Sequence, residues 1–194
     1  MSDVTVVGAG LAGCEAAWAL ANAGHRVALY EMKPARYSPA HHSPDFAELV
    51  CSNSFKATRL ISAAGLLKEE MRLLNSVVLA GAAEAAVSAG GALAVDRERF
   101  SAAVTRRVLA HPGIRAVTGE EITGIPQGPA VIATGPLTSK ALSDAIGELC
   151  GERYLSFYDA SAPIVTADSI DGERTFFATR YGRGGADYIN CPFS

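Results

Sequence analysis

Nothing in the 194 residues suits a bilayer, because no uninterrupted apolar run reaches the roughly 20 residues a spanning helix needs. Basic charge is not in excess either. There are 17 Lys and Arg against 20 Asp and Glu, for a formal net charge of -3. That balance argues against a strongly basic nucleic-acid-binding module while leaving room for a local patch. Cysteine is sparse and scattered: Cys14, Cys51, Cys150 and Cys191 have neither CxxC spacing nor the ligand spacing of a zinc site, so no metal centre is expected. The start, MSDVTVVGAG, runs straight into a strand with no basic segment ahead of an apolar core, so no secretory leader is expected. These absences imply a reducing, cytoplasmic compartment with the cysteines as thiols. There is no internal repeat, no clear linker and no disorder-type composition. With 49% hydrophobic and 19% charged residues, the chain can bury the core of one domain, or of one and a part.

What is present is best organised in the first forty residues. Val4 to Val7 is a β-branched run, Gly8-Ala-Gly-Leu-Ala-Gly13 follows, and CEAAWALANAG closes on Gly24 as a helix does. Arg26 to Glu31 then reads as a second strand, completing a βαβ unit. A bare GxGxxG is a weak signal in a glycine-rich chain, but this one follows a strand, opens a helix and has an acidic residue about 20 positions on. In that context the residues Gly8, Ala9, Gly10, Leu11, Ala12 and Gly13 form a pyrophosphate-binding turn. Gly8 permits the turn, Gly10 lets the backbone approach the phosphates, and Gly13 lets helix and strand pack closely. The anion would sit at the helix N-terminus, and Glu31 is placed to accept from ribose hydroxyls.

A second glycine signal lies at Ala130-Val-Ile-Ala-Thr-Gly135, a short strand followed by Pro136 and a helix expected from about Leu137 to Leu149. A strand ending in Ala-Thr-Gly resembles the second nucleotide-contacting segment of FAD-dependent oxidoreductases, which makes Thr134 and Gly135 candidate cofactor contacts and favours FAD over NAD as the held ligand. An ordinary strand-to-helix turn is the alternative. Elsewhere Lys33 to Pro44 reads as an ordered loop with three prolines, and Gly65 to Leu74 has helical spacing. The stretch SVVLAGAAEAAVSAGGALAV is ambiguous between helix and strand. Asp96 is an expected N-cap for a helix through about Ala110, and short strands are expected at 114 to 118, 121 to 125, 154 to 159 and 174 to 179.

Several further residues have two readings. His41-His42 suggests a metal only if more ligands converge, and loop packing or ligand contact suits the pair better. Lys33, Arg36, Lys56 and Arg59 surround Cys51 and could contact phosphates, or could be solvated surface charges. Arg180 to Gly185 reads as a flexible basic loop with RNA binding as one use. Cys14 is expected buried against the sheet; Cys150 and Cys191 have no local hint of activation. Cys51, in FAELVCSNSF, follows an apolar run read as a strand and precedes three polar residues. It is either a nucleophile activated by nearby donors or a small buried hydrophobe.

Whole motifs carry a closer resemblance. GAGLAGCEAAW, EMKPARYSPAHHSPDFAELVCSNSF, GLLKEEMR, SAGGALAVDRERF, VIATGPLTS, and YDASAPIV followed by DYINCP are similar, from Val4 to Pro192, to the TrmFO family of bacterial folate- and FAD-dependent tRNA uridine methyltransferases. That family is related to the GidA (MnmG) tRNA-modifying flavoproteins, whose opening is of the GGGHAG type. The resemblance implies an α/β fold: a Rossmann-like FAD-binding domain over 1–94, an inserted strand-helix segment over 95–129, a return to the FAD domain over 130–150, and the start of a second domain over 151–194. It further implies bound FAD, with NAD(P)H and 5,10-methylenetetrahydrofolate as cosubstrates and the T-arm of tRNA as partner. The reaction would be methylation of C5 of the T-loop uridine. Of the family's two important cysteines, the first lies in the CSNS motif and maps onto Cys51. The second belongs downstream of the NCP motif, so Cys191 does not stand in for it, and members of the family are expected to be longer than this chain. A GidA-like wobble-uridine flavoprotein, a plain FAD/NAD oxidoreductase and a non-catalytic nucleotide- or tRNA-binding module are the alternatives. The oligomeric state is not legible.

Overall fold

The computed structural model describes residues 3–151, 165–180 and 182–192. Its centre is a four-stranded parallel sheet in the order β6-β2-β1-β7, built from β1 (Asp3–Val7), β2 (Arg26–Glu31), β6 (Ile114–Thr118) and β7 (Ala130–Ile132). Helix α1 (Leu11–Asn22) connects β1 to β2. Its buried positions, Gly13, Cys14, Ala17 and Ala21, are all small, so the helix lies close on the sheet. Pairing of β1 with β2 runs in register from Asp3 opposite Arg26 to Val7 opposite Tyr30. The strand order reverses between β1 and β7, and in open parallel sheets ligands bind at such a switch point, beyond the carboxyl ends of the strands. This is the expected α/β, Rossmann-like fold.

The ambiguous alanine-rich stretch divides into three elements because its caps decide where the chain turns. Ser76 accepts from the Leu79 amide and starts α3 (Val77–Glu84). The chain then forms β4 (Ala86–Val87) and, after a turn, β5 (Ala92–Val95). With β3 (Ser54–Ala57) these make a small antiparallel sheet in the order β3-β5-β4. Helix α2 (Ala63–Leu73) is capped by Ser62, and α4 (Arg97–Ala110) by the expected Asp96, whose carboxylate accepts from the Arg99 amide. Residues 95–129, expected as an insertion, carry α4 and β6. Because β6 hydrogen-bonds along β2 from Val27–Ile114 to Glu31–Thr118, this segment supplies the outer strand of the main sheet.

One core joins the layers. Phe100, Val104 and Val108 of α4, Val77 and Ala82 of α3, Cys14 and Ala17 of α1, and Val6 and Leu29 of the sheet are all buried together. Each large side chain among them contributes roughly 1.5–3 kcal/mol by leaving water. A Cβ on Gly81 would stand 2.6 Å from a Val104 methyl, so glycine is what lets α3 and α4 approach.

Four sequence expectations change here. Residues 121–125 form no strand; they run irregularly beside the switch point, where Glu121 pairs with Arg36. Helix α5 (Lys140–Cys150) begins later than expected because a short 3-10 turn at Gly135–Leu137 intervenes, and it ends on Gly151 in the left-handed region. In the basic segment at 180–185, expected as a flexible loop, Arg180 and residues 183–185 belong to the paired strands of an antiparallel hairpin, β8 (Phe176–Arg180) with β9 (Arg183–Asn190). This hairpin is tied to the β4–β5 turn through Asp187, which accepts from the Gly90 amide at 2.8 Å, and through the Tyr188 hydroxyl on the Ala89 carbonyl. The apolar run before Cys51 is irregular and not a strand. The strand expected at 154–159 lies outside the described residues. No helix among the described residues is long and apolar enough to cross a membrane.

Candidate functional site

The glycines of the first turn meet the second glycine signal at the switch point. Gly8 has φ +94°, and a Cβ there would stand 2.9 Å from the Ala133 carbonyl oxygen, so the β1–α1 turn and the end of β7 touch through bare backbone. At Gly13 a Cβ would overlap the Gly8 carbonyl oxygen, which fixes the helix against its own turn. At Gly10 a Cβ would meet nothing within 4 Å. The backbone there faces open space, which is what a phosphate needs. Gly10 is also the N-cap of α1 and offers no side-chain cap, so the first amides of the helix are left for an external acceptor.

These turns open on a cavity of about 300 Å³, whose wall includes Gly8 to Ala12, Tyr30 to Lys33, and Ala133 to Ser139. That is the lower end of the range for small-molecule sites, suited to the ribose-pyrophosphate centre of a dinucleotide with its ends extending outward. Of the sequence-derived cofactor residues, Gly8, Ala9, Gly10, Leu11, Ala12, Glu31, Thr134 and Gly135 lie on the wall, while Gly13 lies behind it as the packing contact. Glu31 is buried. One carboxylate oxygen accepts from the Ala9 amide at 2.8 Å and the other from the Lys33 amide at 3.0 Å. Each oxygen keeps a second lone pair, so the group holds the turn in shape and can still receive ribose hydroxyls. Thr134 and Thr138 share a hydrogen bond of 2.5 Å across the 3-10 turn.

The loop from Lys33 to Asn53 forms the far side of the cavity, and its residues are the ones sequence reasoning largely missed. Lys33 is buried, not a phosphate contact: its ammonium donates to the carbonyls of Ser43 and Asp45 and pairs with Glu48 at 3.3 Å. Arg36 is likewise engaged, with Glu121. Burial alone would raise the Glu48 carboxyl, but the His42 and Ser43 amides and the Lys33 ammonium outweigh it and hold it below the ordinary value. Glu48, Ser38 and His41 line the cavity. Burial, helped by Lys33, pushes His41 down, so its ring is neutral at pH 7, with Nδ1 bonded to the Ser38 hydroxyl at 2.5 Å. An acidic residue inside the apolar FAELV run was the available signal for Glu48. Among the described residues no cluster of His, Cys, Asp or Glu could hold a metal ion.

Cys51 follows Val50, a wall residue, and is half-buried. Its segment is pinned from three sides. The Ala47 amide donates to the Ala9 carbonyl of the glycine turn at 2.8 Å, and the Phe46 amide donates to Thr105 of α4 at 2.8 Å. Arg97 donates to the Cys51 carbonyl at 2.9 Å, and Asn53 bonds with Val95 of β5 through both its backbone carbonyl and its side chain. Phe46 and Ala47 are fully packed in the core, so the apolar run anchors the loop. Cys14, by contrast, is wholly buried. Burial, then the nearby Glu31 and Glu15, push its thiol up to about 12, which makes it inert packing. Cys150 and Cys191 are exposed.

Comparison with known proteins agrees with this geometry. The chain is 58% identical over 192 residues to the methylenetetrahydrofolate--tRNA-(uracil-5-)-methyltransferase TrmFO of Anoxybacillus flavithermus, covering 99% of this chain and 44% of that protein. It is 57% identical over 191 residues to the Bacillus subtilis protein of the same name, with 98% and 44% covered, and 60% identical over 191 residues to that of Brevibacillus brevis, with the same coverage. The chain thus spans less than half the length of these curated relatives. Among solved structures, Aquifex aeolicus GidA superposes with a TM-score of 0.54 at 16% identity, over 69% of this chain and 25% of that one, a likeness of fold alone. The family profile described as "Glucose inhibited division protein A" matches residues 3–194, and the chain belongs to that family.

Proposed function

We propose that this chain forms the dinucleotide-binding part of a folate- and FAD-dependent tRNA methyltransferase acting on C5 of the T-loop uridine, with NAD(P)H as reductant. The observation that carries the reading is the joint between the two sites. The segment bearing Cys51 hydrogen-bonds through Ala47 to Ala9 in the glycine turn, and Val50, the residue before the cysteine, lies on the wall of the cavity that suits the dinucleotide. The names of the relatives support the substrate class, a tRNA uracil, and the carbon donor, a methylenetetrahydrofolate.

The residues of this chain fit FAD. Gly8, Gly10 and the first amides of α1 would take the pyrophosphate, Glu31 a ribose, and Ala133 to Gly135 would lie along the cofactor where a side chain would obstruct it. When bound, the flavin supplies the reducing equivalents that turn a one-carbon unit at the methylene level into a methyl group. The protein's own contribution falls to Cys51. Uracil C5 is a weak nucleophile, and a thiolate adding to C6 places electron density on C5 and O4, so that C5 can attack the carbon donor. Loss of the C5 proton would expel the tetrahydrofolate amine from the new methylene carbon, and a hydride equivalent delivered to that carbon would complete the methyl group as the thiolate leaves C6 and the ring is restored.

The test is a chimera in which these residues replace the matching part of the Bacillus subtilis relative, supplied with unmodified tRNA, methylenetetrahydrofolate, FAD and NADPH. Nucleoside mass spectrometry should find the new methyl on the T-loop uridine. Modification confined to the anticodon would assign the chain to the GidA branch instead.

A further inference from the structure

Of the four cations that the sequence sets around Cys51, two are spoken for, since Lys33 is buried on backbone carbonyls and Glu48, and Arg36 pairs with Glu121. The other two face solvent on and just beyond β3. Lys56 and Arg59 are exposed and, among the described residues, belong to no ion pair. Lys68 of α2 joins them from behind. Its ammonium donates to the carbonyl of Phe55, the neighbour of Lys56, at 2.6 Å, and to Ala64 at 2.7 Å, and it likewise has no acidic partner among the described residues. No Asp or Glu occurs between Glu48 and Glu69, although the chain as a whole is acidic. The segment between them thus carries only positive charge, although the chain's net charge is -3.

The outward side of β3 and the residues just before it add hydroxyl donors. Ser52, Ser54 and Lys56 alternate along the exposed face. The Ser52 oxygen accepts from the Ser54 amide at 3.1 Å and the Ser54 oxygen from the Lys56 amide at 3.2 Å, so each hydroxyl hydrogen is left to point at another acceptor. Among the described residues β3 pairs only with β5 and is an edge strand, so no neighbouring strand covers its outer side. A second cavity of about 360 Å³ runs alongside, its wall including Thr58, Leu60, Lys68 and the ion pair of Arg72 with Glu69. Exposed hydroxyls and the exposed cations Lys56 and Arg59, with the half-buried Lys68 behind them, are the donor set that phosphodiester backbones engage.

We infer that the strip formed by Ser52, Ser54, Lys56, Arg59 and Lys68 binds the phosphate backbone of the tRNA substrate and steers the target uridine toward Cys51. This rests on the tRNA reading above and adds the surface that serves it. The probe is an unmodified tRNA transcript, with binding to the full chain followed by fluorescence anisotropy across a salt series. The variant is Lys56→Gln combined with Arg59→Gln, and FAD titration of the same samples serves as the folding control.

Loss of two phosphate contacts should reduce the slope of log affinity against log salt by about 1.6, which corresponds to roughly 40-fold weaker binding at 0.1 M salt. FAD binding should be unchanged, because neither residue lines the nucleotide cavity. An unchanged slope and affinity in the double variant would overturn the inference while leaving the methyltransferase reading intact. Failure of the unsubstituted chain to hold tRNA at low salt would overturn it too, and FAD binding, read separately, would still report on the cavity. Displacement of tRNA by equimolar NADPH would assign these cations to a dinucleotide phosphate and likewise reject the RNA surface.

Discussion

The three glycines of the first turn make separable demands, and alanine at two of them distinguishes those demands. At Gly13 the added carbon overlaps the Gly8 carbonyl oxygen, a backbone atom held by the hydrogen bond of the Gly8 amide to Tyr30 and by contact with Ala133. Neither side can yield without moving α1 off the sheet. Overpacking of this kind costs typically 1–3 kcal/mol and occasionally more, and with backbone as the obstacle the upper figure applies. For a chain of this size about 3 kcal/mol lowers Tm by roughly 6–12 °C. At Gly10 the added carbon meets nothing, and φ there is -71°, open to any residue. Gly10→Ala should leave the ligand-free Tm within about 2 °C or raise it slightly, since alanine has less freedom to lose on folding. The same methyl intrudes where a pyrophosphate must approach, so FAD affinity should fall by at least about tenfold, or about 1.4 kcal/mol. Differential scanning fluorimetry and a flavin fluorescence titration read the two effects. Unchanged Tm in Gly13→Ala, or unchanged FAD affinity in Gly10→Ala, would refute the division of roles.

Three further outcomes follow from the loop and the buried groups. Lys33→Met should destabilise by about 3–5 kcal/mol in urea unfolding, because it leaves Glu48 charged and the Ser43 and Asp45 carbonyls short of a donor. Glu48 has a folded value held below the usual 4.5, so its stabilising effect is complete above that pH and is lost as pH falls through the depressed value. The advantage of the wild type over Glu48→Gln should therefore be constant from pH 7 to about 5 and shrink below 4.5, as urea midpoints across that range would record. In the native protein at pH 8, a maleimide should label Cys150 and Cys191 and spare Cys14 until the chain unfolds, as peptide mapping would detect.

The sheet and its glycine turn were legible in the sequence because their signals are local. A β-branched run, GAGLAG and an acid at the next strand's end lie within one βαβ unit, and β2 and β6 fall at the residues expected from periodicity. The alanine-rich stretch was not legible, since neither period dominates it; Ser76 and the fit of Gly81 against Val104 decide the matter through tertiary contact. The same holds for the loop before Cys51. Its apolar residues look like a strand, yet Phe46 and Ala47 are spent anchoring an irregular segment between α1 and α4. Lys33 read as a phosphate contact or a solvated charge, and Glu48 drew no reading, because their partnership spans 15 residues of loop and shows only in the fold.

The most direct test of the account reads two signals from one protein, the chimera carrying Cys51→Ala. Flavin absorbance after desalting reports the cavity, and nucleoside mass spectrometry of the T-loop reports methyl transfer. The account predicts retained FAD with methylation abolished, because Cys51 follows the wall residue Val50 without being one of the wall residues itself. Methylation at the unsubstituted level with Cys51 gone would contradict it and return this cysteine to a role in packing.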